Sequence, residues 1–417
     1  MSLGRKRPST RLGSMWLGTR DGRVRLEILP YGLTIHRIEV RVGEHVHDIV
    51  AGPENADEHR TLGRRFYGPI IGRYANRLPA GCQVYWDRAK KEHLMIELPA
   101  WGGQNVSHHG GPCTEASLTN TGSSLLQHGP FDCAMWTQIR ESSMYSDKDY
   151  DAWDESACFA LESPVGDQGY PGHVRVEAFV GVQSSGATSA MELGRIHVEY
   201  RARLVDDATT ATPLNLTQHW GFNLGASSVA RRGTGVDGHA LQLGGGARPL
   251  YRLVLDTDGI PTGALESCAG TRYDWSRPNQ QIRADTDYDH FYVWGASTAA
   301  NNSETAGRRN AIDRNPVMAT LSGPTGLTLR FRTNQTGVQM FVPPNACKEG
   351  ARKVRHRIEP TKPELDGRHH AIFLEFSAPH ATFLRPTLWD WAGYDTLLRQ
   401  GETYQSVVTV ELSQQVL

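Results

Sequence analysis

The chain has 417 residues, with 44 Lys+Arg against 45 Asp+Glu and a formal net charge of −1. That balance gives no electrostatic footprint for nucleic acid or an anionic membrane surface, and no run of 18 apolar residues supplies a membrane-spanning helix. A hydrophobic content of 39% suffices for a substantial core at this length.

The first 20 residues hold five Lys/Arg, no acid and no apolar central stretch. They read as a flexible basic terminus (1–20) rather than a secretory signal. From there on, short alternating or apolar runs bounded by Gly, Pro, Asn and Asp recur. Examples are VRLEILPYG (24–32), TIHRIEVRVG (34–43), HVRVEAFVGV (173–182), RIHVEYRARLV (195–205), LTLRFRT (327–333) and VVTVEL (407–412). A period of two in segments of this length predicts strands, and their number predicts an all-β fold of sandwich or barrel type. No linker composition divides residues 21–417, which are expected to form one domain. Polar or strongly charged stretches near 112–128, 141–168, 299–316 and 346–369 read as insertions in it.

The six cysteines are never closer than 20 positions and include no CxxC pair. With no secretory signal, free thiols in a reducing, cytoplasmic compartment are expected. GTGVDG (233–238) satisfies GxGxxG but lacks the apolar strand before it and the helix after it, so it reads as a turn. His108-His109 forms a doublet, but neighbours on a strand point to opposite faces and no HExxH accompanies them. No metal site is expected from it. A serine-hydrolase GxSxG elbow is absent too.

The stretch TPLNLTQHWGFNL (212–224) splits by parity. Leu214, Leu216, Trp220, Phe222 and Leu224 share one side with Gln218, while Asn215, Thr217, His219 and Asn223 share the other. Amides, a hydroxyl and an imidazole are an unusual solvent face. Polar residues also cluster inside other regular elements: Arg73, Asn76 and Arg77 in GRYANRL, Asp287 and Asp289 in DYDHFYVW, and Glu375 alone in the apolar run AIFLEFSAP. An isolated Glu in such a run is costly to bury unless it is paired or faces a cleft. Together, Asn76, Arg77, His109, His219, Asp289 and Glu375 offer forked donors, acceptors, an acid and two imidazoles. Such a set can grip a polyhydroxylated ligand and move protons on it, which leaves a lectin-like module and an enzyme both open.

These segments, in this order, resemble the aldose 1-epimerase (galactose mutarotase) family. The resemblance runs through LPYGLTIHRIEV (29–40), GPIIGRYANRLPAG (68–81), NVSHHGG (105–111), FDCAMW (131–136) and GYPGHVRVE (169–177). It continues through TPLNLTQHWGFNL, GIPTG and AGTRYDW (259–275), DYDHFY, TNQTGVQMF (333–341), FLEFSAP and LRQGETYQS (398–406). It implies a large antiparallel β-supersandwich that interconverts the α and β anomers of a free hexose such as galactose or glucose, with no metal or organic cofactor. It implies Glu375 as the base at the C1 hydroxyl and His219 as the acid at the ring oxygen, on opposite sides of the C1–O5 bond. His109 would assist them, and Asn76, Arg77, Asp289 and Gln339 would hold sugar hydroxyls. The partner implied is a monosaccharide, not nucleic acid or membrane, with the chain a monomer or weak dimer.

The sequence departs from the family pattern around those positions. Gln218-His219-Trp220-Gly221-Phe222-Asn223-Leu224 stands where the family usually has Asn-His-Ser-Tyr-Phe-Asn-Leu, His108 replaces a common Leu, and MFVPPN (340–345) and FSAPH (376–380) differ as well. The resemblance therefore carries the proton-transfer residues further than the choice of sugar. A hexose-6-phosphate 1-epimerase, using Arg73 or nearby arginines, and a non-catalytic sugar-binding protein are the alternative expectations.

Overall fold

The computed structural model of the protein describes residues 12–113, 124–141, 143–186, 191–231, 234–246, 249–283, 286, 288–295, 316–348 and 352–415. Among these residues the chain is all-β, and every ladder between named strands is antiparallel. A nine-stranded sheet runs, in spatial order, Thr137–Ile139, Glu155–Ser163, Val174–Gln183, Glu192–Leu204, Tyr404–Gln414, Leu327–Thr333, Val317–Ser322, Ala240–Leu243 and Gln280–Gln281. A six-stranded sheet orders Trp220–Phe222, Ile372–Ser377, Gly337–Val342, Tyr288–Val293, Tyr251–Leu255 and Pro261–Ser267. A four-stranded sheet of Met15–Gly18, Val24–Leu29, Thr34–Val42 and His45–Asp48 adds a third layer. The main apolar cluster draws residues from Leu17 through Leu412. Met15–Gly18, placed by the sequence in the flexible terminus, pairs with Arg25–Ile28 instead. Residues 1–11 lie outside the described set.

The parity of the key strands survives folding. Ile372, Leu374 and Phe376 enter the main core, as do Val338, Met340 and Val342. Their alternates Phe373, Glu375, Gln339 and Phe341 therefore share the opposite face of the six-stranded sheet. Leu214, Leu216, Trp220, Phe222 and Leu224 also enter the core, as expected. The stretch carrying them is not one strand, however. Ala211–Pro213 pairs with Leu397–Arg399, Thr217–Gln218 with Ile70–Ile71, and Trp220–Phe222 with Ile372–Leu374. It is a seam passing between sheets, and the fate of its polar side changes accordingly. Asn215 exchanges hydrogen bonds with the backbone of Ala378, and Asn223 donates to the carbonyl of His370. Only His219 of that side reaches the cavity described below.

The insertions differ among themselves. Within 141–168, Glu155–Ser163 is a nine-residue strand of the large sheet. The excursion is confined to the residues before it, where Tyr145 and Tyr150 pack on Phe179. Polar flanks disguised a strand whose interior, ACFAL, is apolar. The charged segment 346–369 is docked rather than loose. Lys353 is wholly buried, 2.8 Å from Asp48 Oδ2, and donates to the carbonyls of His36 and Val50. Of 112–128 only the ends are described, and of 299–316 only Pro316.

The cysteine expectation is corrected. Cys113 and Cys133 are joined as a disulfide, with Cα atoms 6.3 Å apart, while Cys82, Cys158, Cys268 and Cys347 are free. The loop after His109 folds back over Phe131–Cys133, which linear spacing could not reveal. The inference of a reducing compartment loses its cysteine support. No helix among the described residues is long and apolar enough to cross a membrane.

Candidate active site

The polar face of the six-stranded sheet forms the floor of a cavity of about 520 Å³. Asn76, Arg77, His109, His219, Asp289, Gln339 and Glu375 all line it. The seven residues to which the resemblance gives site roles are thus brought to one place, while Asp287 lies outside the described residues. The register explains three of them. Gln339 stands directly opposite Glu375 on neighbouring strands, and Asp289 lies on the next strand, opposite Phe341. Gln339 Nε2 donates to Asp289 Oδ1 at 2.6 Å.

Asn76 and His109 come from a wall of the cavity, and both sit in the left-handed region, at φ 65° and 47°. The two are locked reciprocally: His109 N donates to the Asn76 carbonyl, and Asn76 N donates to His109 Nδ1, each at 3.1 Å. With Nδ1 accepting, the ring proton of neutral His109 belongs on Nε2, which makes His109 a donor. Asn76 Nδ2 donates to Gln339 Oε1 at 3.0 Å, and its Oδ1 accepts from Arg77 N at 2.9 Å. Arg77 reaches Asp289 at 3.8 Å at the open side, where the Asp289 side chain is 48% exposed. The loop that follows needs glycine: a Cβ on Gly110 would lie 2.1 Å from the Gly72 carbonyl oxygen.

The left-handed turn at His109 also overturns the expectation that the doublet diverges. His108 and His109 both line the cavity, with ring centroids 3.8 Å apart. His108 thereby puts an imidazole where the family pattern has an alkyl side chain.

His219 and Glu375 are in direct contact, Nε2 to Oε1 3.1 Å, and both side chains are buried. They were expected to flank a sugar bond; in the free protein they face each other. Burial pushes Glu375 up to about 8, with Asp289 adding to the rise and Arg77 opposing it. Burial draws His219 down to about 4. Both shifts favour neutral groups. Across the intervening pH range the pair therefore carries one titratable proton, seated on Glu375, with neutral His219 in contact beside it. His109 is held well below the ordinary imidazole range by burial and then by the neighbouring His108 and His219.

Three contributors carried no sequence signal. Arg64 makes a buried two-pronged bond to Asp132, 2.7 Å on each arm, and donates to the carbonyls of His109 and Gly111. It fixes the histidine loop from behind. Phe66 packs at 4.7 Å on His109 and 5.5 Å on His219. Phe373 packs on His219 at 5.0 Å, and a Cβ on Gly221 would lie 2.6 Å from its ring. The volume opened by Gly221 is therefore filled by an aromatic ring from the adjacent strand. Arg73 is spent elsewhere: it is buried and donates to Ser163, Pro164 and Pro171, so it is no phosphate ligand.

The sequence and the fold are similar to those of known proteins. The family model for aldose 1-epimerase matches residues 114–410. The chain belongs to the aldose 1-epimerase family. An aldose 1-epimerase of Haemophilus influenzae is 26% identical over 321 residues, covering 76% of this chain and 75% of that protein. Human galactose mutarotase is 27% identical over 256 residues, which span 61% of this chain and 58% of that protein. Among solved structures, an aldose epimerase homologue from C. elegans superposes with a TM-score of 0.69 over 97% of this chain and all of its own, at 18% identity. A galactose 1-epimerase from Lactobacillus acidophilus gives 0.61 over the same shares at 17%. The fold is thus that of the galactose mutarotase-like aldose epimerases.

Proposed function

We propose that the protein is an aldose 1-epimerase that interconverts the anomers of a free hexose, and that the Glu375–His219 pair does the chemistry. The observation that carries this reading is the 3.1 Å contact between a buried carboxyl and a buried imidazole, beside four side chains suited to hydroxyls. A hemiacetal presents a proton to remove at O1 and a lone pair to protonate at O5. Inserted at the pair once its proton has passed from Glu375 to His219, the hemiacetal gives its O1 proton to the Glu375 carboxylate while the His219 imidazolium gives its own to O5. The C1–O5 bond breaks, its electrons go to O5, and C1–O1 becomes the aldehyde. After rotation about C1–C2, O5 attacks the other face and both protons return.

Positioned proton transfer contributes about 10²–10⁴-fold per group, ample for a reaction that already proceeds slowly in water. His109 Nε2 supplies a further donor toward the ring. Asn76, Arg77, Asp289 and Gln339, already bonded to one another, form a preorganised rim that selects the sugar. Galactose and glucose are the proposed substrates. Polarimetry on freshly dissolved α-glucose, α-galactose and their 6-phosphates tests the reading. Acceleration of free hexoses is expected; acceleration confined to phosphates, or sugar binding without acceleration, refutes it.

A further inference from the structure

We propose that Cys347 and His370 of the same cavity wall, with Asp366 from the adjoining pocket, form a zinc-binding cluster closed by Tyr67. One ligand atom from each of the first three lies within 4.8 Å of the other two. Tyr67 Oη sits between them, 3.1 Å from Cys347 Sγ and 2.8 Å from His370 Nε2. Cys347 and Asp366 belong to the docked charged segment. Tyr67 belongs to the wall that also carries Phe66, and Gly68, next along, donates its N–H to the His219 carbonyl at 2.9 Å.

The outer shell that such a site needs is present. His370 Nδ1 donates to the Gly367 carbonyl at 2.9 Å, which leaves the lone pair of Nε2 turned to the cluster. Arg352 Nε donates to Asp366 Oδ1 at 3.0 Å, leaving the carboxylate further lone pairs. Cys347 N donates to the Asp366 carbonyl at 2.8 Å and ties the two residues together. His370 is buried, and burial keeps its ring neutral, the form that binds metal.

The donor set selects the ion. A thiolate, an imidazole and a carboxylate suit zinc, whereas calcium and magnesium favour oxygen alone. Bond lengths of roughly 2.0–2.3 Å about a tetrahedral centre require the ligand atoms to close by about 1 Å. The fourth position falls to the phenol or a water. An ion there would clip the 346–369 segment to the wall beside His219. Its role is to brace the cavity, independent of which sugar is turned over.

The test uses the full chain after chelator treatment, titrated with zinc chloride by calorimetry and with cobalt(II) by absorption. One equivalent of zinc and a thiolate-to-cobalt charge-transfer band in the near-ultraviolet are expected. Cys347→Ser should abolish the band, and His370→Asn should weaken zinc binding at least about tenfold. Metal-free urea midpoints matching the unsubstituted protein establish that both variants are folded; Tyr67→Phe, a milder change, should keep the band. His109, His219 and Glu375 also bring ligand atoms within 4.8 Å of one another, and His109→Asn separates the two sites. Absence of saturable zinc binding overturns the proposal. So does binding that persists in Cys347→Ser, or that is lost in His109→Asn.

Discussion

Replacing Glu375 by Gln keeps the shape of the cavity floor and removes its ionisable group. Activity should fall by about 10²–10⁴-fold, the span of one positioned proton-transfer group, with sugar binding largely kept. The more discriminating consequence is for stability. Burial raises the folded-state value of Glu375 from 4.5 to about 8. A raised carboxyl contributes its full stability below 4.5 and loses it as pH climbs toward 8, because the unfolded chain releases a proton that the folded chain keeps. At pH 7 that gap is about 2.5 pH units, which at 1.36 kcal/mol each comes to at most about 3 kcal/mol. Gln carries no such penalty. Urea denaturation should therefore show Glu375→Gln more resistant than the unsubstituted protein at pH 7, with the difference shrinking toward zero near pH 4.5. A loss of stability at pH 7, or a gain that does not change with pH, would refute the reasoning that burial holds this carboxyl protonated.

The same pair sets the pH dependence of turnover: kcat/KM from polarimetry should be bell-shaped, with limbs near 4 and near 8, where the pair gains a second proton or loses its only one. A profile flat between 4 and 9 contradicts a pair that carries one titratable proton across that range. Arg64→Lys keeps the charge beside Asp132 but loses the fork that holds the His109 and Gly111 carbonyls. It should lower kcat/KM about tenfold, roughly 1.4 kcal/mol, with little change in urea midpoint; unchanged kinetics would free the histidine loop from Arg64. Lys353→Met leaves buried Asp48 with Arg37 at 3.9 Å in place of the 2.8 Å Lys353 contact and should cost up to about 3–5 kcal/mol. Adding Asp48→Asn should recover part of that loss, and denaturation curves of the single and double variants measure the coupling.

Much of the fold was legible because strand parity is a local property. Ile372, Leu374 and Phe376 alternate with Glu375 in the sequence, and the same alternation decides which face each joins after folding. The isolation of Glu375 in an apolar run marked it as a residue that burial would have to justify, and the amide-and-imidazole side of 212–224 marked His219. The resemblance then assigned their roles.

Parity does not say what a face will meet. Asn215, Thr217, His219 and Asn223 look equivalent along the chain, yet the crossing from sheet to sheet spends Asn215 and Asn223 on backbone groups and leaves His219 alone at the cavity. The doublet His108-His109 converges because a left-handed turn at His109 breaks the alternation that neighbouring residues otherwise obey. Arg64 matters through Asp132, and Phe373 through the space left by Gly221 on the next strand. Residue types and their alternation determine which side chains must be buried together. Only the long-range pairing of strands within the six-stranded sheet, with Trp220 opposite Leu374, decided that a carboxyl and an imidazole 156 positions apart meet at 3.1 Å, because that contact depends on pairings no local segment encodes.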